Sequence, residues 1–309
     1  MSLASLPTPA AVWPALALVF NALVWGVSWW PFRQMQAEGL HPLWATVFVF
    51  ALCTVVITCW RPHAVKEVWR TPALWVLVLA AGTTNAAFNW AVSIGDVVRV
   101  VLLFYLMPLW TVLLARWLLH EPLTVRAALQ VVLALTGAAV VLWPQQGSGP
   151  SWWHHLPLPT NLAEVLGVLG GLTFALNNVM LRKEAHRSEA ARGWAMFFGG
   201  VLVAGVLAAV LTAMGSVATP PSVNSVWLAP ALVLTLLFLA SNMALQYGAA
   251  RLPANVTSVI MLSEVVFASA SAVLLGAGEL TLRVWVGGAL IVSAALLATL
   301  SSSKKTASA

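Results

Sequence analysis

The feature that most constrains this chain is a succession of apolar runs, each about 18–22 residues long and almost free of charge. They fall at residues 12–31, 43–60, 73–92, 99–117, 125–143, 163–181, 194–213, 226–247, 255–275 and 283–300. A run of that length as a helix crosses about 30 Å of hydrocarbon. With 61% hydrophobic and only 8% charged residues over 309 positions, against about 25% charged in soluble domains, one water-soluble core is not a solution. The expectation is an all-α integral membrane protein with ten transmembrane helices. The first run lacks the basic leader of a cleavable signal peptide and reads as a retained span.

The net charge of +6 does not mark a nucleic-acid binder, because the basic residues are scattered between spans rather than gathered on one face. Cys53 and Cys59 lie on one predicted helix, separated by roughly 9 Å of rise, too far for a disulfide. No metal-ligand spacing is present, and no cofactor is expected; His154 and His155 are adjacent in a loop rich in Trp and Pro.

Lysine and arginine set an orientation. Arg61, Lys66, Arg70, Arg116, Arg126, Arg182, Lys183, Arg187, Arg192, Arg251, Lys304 and Lys305 fall in even-numbered loops or the tail, against Arg33, Arg99 and Arg283 on the other side. Positive charge stays in the cytoplasm. The reading is therefore a multi-pass protein of the cell inner membrane with both termini cytoplasmic.

The two halves of the chain resemble each other. "LVWGVSWWPFRQM" corresponds to "LTFALNNVMLRKE", which sets Arg33 against Arg182 and Ser28 against Asn177. "NAAFNWAVSIG" corresponds to "NMALQYGAARL", so Asn85 matches Asn242, Asn89 matches Gln246 and Trp90 matches Tyr247. The same offset brings Met107 onto Glu264, and the two stretches close on Glu121-Pro122-Leu123-Thr124 and Glu279-Leu280-Thr281. Each half holds an odd number of spans, so the second enters the membrane from the opposite side. The expected organisation is two inverted five-helix repeats, at 1–145 and 162–302, joined by a periplasmic loop at 146–161 and followed by a cytoplasmic tail at 303–309.

These residues carry a resemblance. Ten spans in two repeats, the Trp25-Gly26 pair and the stretch "YLMPLWTVLLARWLLHEPLT" are similar to the EamA-type transporters of the drug/metabolite transporter superfamily. The resemblance implies transport of a small metabolite or drug without implying which one. The second repeat of that family often has Glu-Pro where this chain has Glu264-Val265.

Polar groups inside spans are costly unless they face protein or a wet cavity. Asn85 and Asn89 share a face of the third span, and Asn242 and Gln246 repeat that arrangement in the eighth. With Asn177, Ser28, Trp90 and Tyr247 they form a candidate substrate-binding ring; the competing reading is that the amides tie helices together. Gly167, Gly171 and Ala175 form a stripe suited to close helix packing, and Trp29, Trp30, Trp60, Trp143, Trp152 and Trp153 suit interfacial anchoring. Pro108 should kink the fourth span. Glu264 stands alone in the middle of the ninth, where a charge costs about 2.5–3.5 kcal/mol. Its candidate roles are proton coupling or an acceptor for a substrate amine, against a structural hydrogen bond.

The sequence therefore favours a secondary transporter of a small organic metabolite, such as an amino acid, a related metabolite or a drug-like compound. It would work by alternating access, with export the favoured direction, lipid and protons as partners, and no enzyme activity. No phosphate-binding Gly-x-x-x-x-Gly-Lys-Ser/Thr loop is present. The alternative is an integral-membrane enzyme acting on a lipid or other small substrate; only nine carboxylates are available for it, mostly near span ends.

Overall fold

In the computed structural model, residues 9–94, 100, 103–122, 124–142, 159, 161–275 and 282–306 are described. Among them the chain is helical throughout, with no strand: α1 (Pro9–Ala37), α2 (Pro42–Trp60), α3 (His63–Arg70), α4 (Pro72–Ile94), α5 (Met107–Leu118), α6 (Val125–Leu142), α7 (Leu162–Lys183), α8 (Glu189–Ala213), α9 (Ser225–Arg251), α10 (Ala254–Met261), α11 (Ser263–Leu274) and α12 (Leu282–Thr306). Six stretches are long and apolar enough to cross a membrane, and α3 with α4, bent by 101°, makes a seventh candidate; α5, α6 and part of α12 are shorter apolar helices. The loop expected at 146–161, with Trp143, Trp152 and Trp153, lies almost wholly outside the described residues.

The helix starts are written in local chemistry. Asn161 accepts from Glu164 N and donates to Glu164 Oε1, so one cap serves both backbone and side chain of the first turn of α7. Ser188 accepts from Ala191 N to start α8, and Asn224 accepts from Val226 N and Trp227 N to start α9. Pro42 and Pro108 sit in first turns, where a missing N–H leaves nothing unpaired.

Two expectations need correction. The ninth span is not one regular helix: it is interrupted at Leu262, whose N–H bonds Val259 O at 3.2 Å while Val265 N bonds Leu262 O at 3.1 Å. Such i→i+3 bonds tighten the ladder and restart it. The fourth span carries the same device, with Leu106 N on Leu103 O at 3.2 Å and Leu109 N on Leu106 O at 3.0 Å. The kink expected from Pro108 is thus present just before it. Counted from the interruption, Glu264 matches Pro108 rather than Met107, each being the second residue of the restarted helix. The second correction is α3, read from sequence as loop. Its Ala64 and Val68 are buried while Lys66 and Arg70 are exposed, a short amphipathic helix lying across the bundle end.

Packing places α4 against α7 and α8, α1 against α9 and α11, α5 against α7, α2 against α8, and α6 against α12. At the α5–α7 side, a side chain at Gly171 would run into Phe104 O, and at Gly167 into Val100 O. The close-packing reading of that glycine stripe therefore holds. Gly26 does the same for α1, whose backbone rides on Glu264, Phe267 and Ala268. Cys53 is buried, Cys59 is exposed, and both are free.

Candidate functional site

Where α1, α2, α4, α7, α8, α9 and the two interrupted helices converge, they enclose a cavity of about 60 Å³. Beside Ala81, Thr84, Met196, Leu245 and Met261, its wall carries aromatic, amide and carboxylate groups. Seven are aromatic: Trp25, Phe50, Phe88, Phe104, Phe174, Phe197 and Phe238. Three are amides, Asn85, Asn177 and Asn242, and one is a carboxylate, Glu264. Among the described residues no lysine, arginine or histidine lines it.

The aromatic wall is locked by ring contacts. Trp25 stacks on Phe238 with centroids 4.5 Å apart, and Phe50 meets Phe197 and Phe238 edge-on at 5.3 and 5.8 Å. On the other side Phe104 packs against Phe88 at 4.8 Å and Phe174 at 5.7 Å. Offset and edge-to-face pairs of this kind each contribute about 0.5–1.5 kcal/mol beyond burial. The Trp25-Gly26 pair acquires a physical meaning: Trp25 presents its ring to the cavity while Gly26 lets α1 touch the backbone at Glu264.

The restart at Leu262 places Glu264 in the first turn of α11. Negative charge at a helix N-terminus gains about 0.3–1 kcal/mol, which offsets part of the cost of a carboxylate at this depth.

The structure divides the expected ring. Asn85, Asn177, Asn242 and Glu264 come together on the cavity wall. Asn85 is held by its own helix, Nδ2 donating to Ala81 O at 2.8 Å. Asn242 donates to Met196 Sδ at 3.3 Å and accepts from Gln246 Nε2 at 2.7 Å. Asn177 is only 1% exposed, and neither amide atom has a partner among the described residues.

Ser28, Asn89, Trp90, Gln246 and Tyr247 do not line the cavity. Asn89 donates to Thr46 Oγ1 at 2.5 Å and so ties α4 to α2. Gln246 stands behind Asn242 and orients it. Ser28 donates to Trp25 O within its own helix at 2.8 Å. Trp90 packs beside Ala86 and Ala91, and Tyr247 lies under the Arg251 guanidinium, 3.9 Å from its centroid. Of the tryptophans expected at the interface, Trp30 and Trp60 are exposed, whereas Trp29 donates to Ser271 Oγ at 2.9 Å. Sequence reasoning missed the phenylalanines of the aromatic wall; the Trp25-Gly26 pair was its one trace.

Comparison with known proteins agrees with this architecture. A crystal structure described only as "Crystal structure of protein" superimposes with a TM-score of 0.72 at 19% identity, covering 94% of this chain and 98% of its own. At that identity the likeness concerns the fold, and it spans both halves. No curated protein matches the chain. The model of the EamA-like transporter family matches residues 12–143, which hold α1, α2, α4, α5 and α6. Over that stretch the chain is similar to the EamA-like transporter family, a family of the drug/metabolite transporter superfamily.

Proposed function

We propose that this protein is a secondary transporter of a small, neutral or cationic organic molecule with an aromatic or apolar body. The observation that carries the reading is the central cavity, whose described wall has seven aromatic rings, three amides and one carboxylate, with no basic residue among the described residues. Aromatic faces attract cations and stack on flat apolar groups. The Asn177 amide, buried and without a hydrogen-bond partner among the described residues, is available to a ligand. A phosphorylated or polyanionic substrate would meet Glu264 with no compensating charge.

The two-repeat, ten-span organisation is part of this proposal. Exchanging the halves turns the α1–α9 contact into α4–α7, and the α1–α11 contact into α5–α7, while α2–α8 and α6–α12 map onto themselves. The paired interruptions at Leu106 and Leu262 obey the same exchange. This symmetry supports two half-bundles rocking about a central site. At about 60 Å³ the cavity is far below the roughly 300–1,000 Å³ of ordinary ligand pockets, so loading requires the halves to move. Both termini lie in the cytoplasm in this reading, and Glu264 is the coupling group or the acceptor for a substrate amine. An enzyme finds little support: among the described residues Glu264 is the only acid or base on the cavity wall.

The test is uptake into proteoliposomes, with and without an imposed pH gradient, of labelled aromatic amines, aromatic and aliphatic amino acids, and sugar phosphates. Movement of an amine or amino acid is the expected result. Transport of the phosphates alone would overturn the substrate class, and turnover of a compound without its movement would favour the enzyme.

A further inference from the structure

A second polar site lies away from the cavity, at the end of the bundle where α7, α8 and α9 meet. Ala185, Arg187, Ser188, Glu189, Arg192, Ala250 and Arg251 surround an open cleft there. Three guanidinium groups reach it from three places: Arg187 from the loop after α7, Arg192 from the first turns of α8, and Arg251 from the last turn of α9. The cleft also sits on the N-terminus of α8, a helix of 25 residues capped by Ser188. Both features favour an anion.

The independent observation is Arg192. It is only 1% exposed, and it is first among the largest fully buried side chains. One guanidinium nitrogen donates to Leu181 O at 3.2 Å, while Nε has no partner among the described residues. Burying a guanidinium with an unpaired N–H is costly, and among the described residues Glu189 and Glu67 favour its charge without forming an ion pair with it. The nearby carboxylates are otherwise engaged. Glu67 accepts from Ser188 N and Oγ at 3.3 and 2.6 Å. Glu184 faces Arg187 Nε at 3.5 Å and His186 at 3.7 Å. Glu189 is half exposed and reaches Arg251 at 3.8 Å. Arg182 donates to Ala250 O and so keeps its own positive charge at the edge of the cleft. Four arginines against three carboxylates leave the site cationic, with donors in excess of acceptors.

We infer that this cleft binds a phosphate-bearing anion, held by Arg187, Arg192 and Arg251 on the first turn of α8. Planar guanidinium forks match phosphate oxygens in pairs, and basic pockets between transmembrane helices are suited to anionic lipid headgroups. A lipid headgroup and free phosphate share this chemistry. The site is separate from the transport cavity and stands whether or not the transport reading does.

The experiment uses the full-length chain. Native mass spectrometry from vesicles of mixed phosphatidylglycerol and phosphatidylcholine measures retained lipid, and thermal unfolding in detergent measures stabilisation by inorganic phosphate against chloride at equal ionic strength. The expected result is at least about tenfold preference for the anionic lipid, or a phosphate-specific rise in Tm, lost in Arg187→Gln/Arg251→Gln. Both of those residues are partly exposed, so the double variant should fold even where Arg192→Gln does not. Phosphate displacing the lipid assigns one site to both sources; lipid preference without a phosphate effect assigns the membrane; a phosphate effect without lipid preference assigns the free anion. Absence of both effects in the wild type, or their survival in the double variant, overturns the site.

Discussion

The interrupted helices at Leu106 and Leu262 share hydrogen bonds but not chemistry. Each restarts after an i→i+3 turn, yet the second residue of one restart is Pro108 and of the other Glu264. Both residue types belong in a helix first turn, Pro because it needs no donor there and Glu because the helix end favours its charge. The fold therefore asks only for a residue that tolerates a helix start, and the first half answers with one that is chemically inert. What Glu264 adds is not required by the backbone, which is why its charge is to be sought in function.

The largest effect should come from separating charge from geometry. Glu264→Gln keeps shape and hydrogen bonding, so the protein should fold with its normal Tm, while accumulation of substrate against a pH gradient should fall by at least about tenfold and lose its pH dependence. If Glu264 instead receives a substrate amine, affinity falls for cationic substrates and exchange of neutral ones survives. Pro108→Ala, at the matching position, should change transport by less than about twofold. Wild-type accumulation, affinity and pH dependence in Glu264→Gln would make the acid structural, and the two restarts would then be equivalent after all.

The next effect tests how the restarts are seated. Gly26 lets α1 lie on the backbone at Glu264, and Gly171 lets α7 lie on the backbone at Phe104. Alanine at either place meets main-chain atoms that cannot swing aside, so each should destabilise by about 1–3 kcal/mol as overpacking does. The readout is thermal or denaturant unfolding in detergent. Gly39→Ala tests a separate cause: the glycine meets nothing nearby but has a φ of +85°, so its loss would be strain at a turn, and transport should be unaltered.

These contrasts also show where sequence reading stops. The spans were legible because exclusion of charge over some twenty residues is a local property, and α2, α4, α6 and α7 lie within two residues of the runs that announce them. The restart at Pro108 was legible because proline breaks the ladder by its own chemistry. The one at Leu262 was not, since a leucine between Met261 and Ser263 has no local reason to interrupt a helix. The aromatic wall was invisible for a related reason. In an apolar span a phenylalanine facing a cavity and one facing lipid have the same neighbours in sequence. Asn85, Asn177, Asn242 and Glu264 could be found because a polar group in hydrocarbon is expensive anywhere, but the cost does not say which partner repays it.

The smallest predicted effect is the one that most sharply divides the amide pairs. Asn85 and Asn89 are one turn apart and differ by only about 40° around the helix, yet the first lines the cavity and the second bonds Thr46 on α2. Asn242 and Gln246 split the same way, except that Gln246 braces its own cavity-facing neighbour. Alanine at Asn85 or Asn242 should therefore raise KM about three- to tenfold, with Asn242→Ala also losing stability because the Gln246 amide loses its acceptor. Asn89→Ala should leave KM alone and cost about 0.6 kcal/mol, the average for a hydrogen bond between membrane helices, or about threefold in the unfolding equilibrium. Thr46→Val removes the same bond from the other side, so it should cost a similar amount, and the double variant should cost less than the sum. Additive losses would mean that the two residues act separately. A change in KM for Asn89→Ala with stability intact would put Asn89 on the substrate path and erase the division between the two residues of the pair.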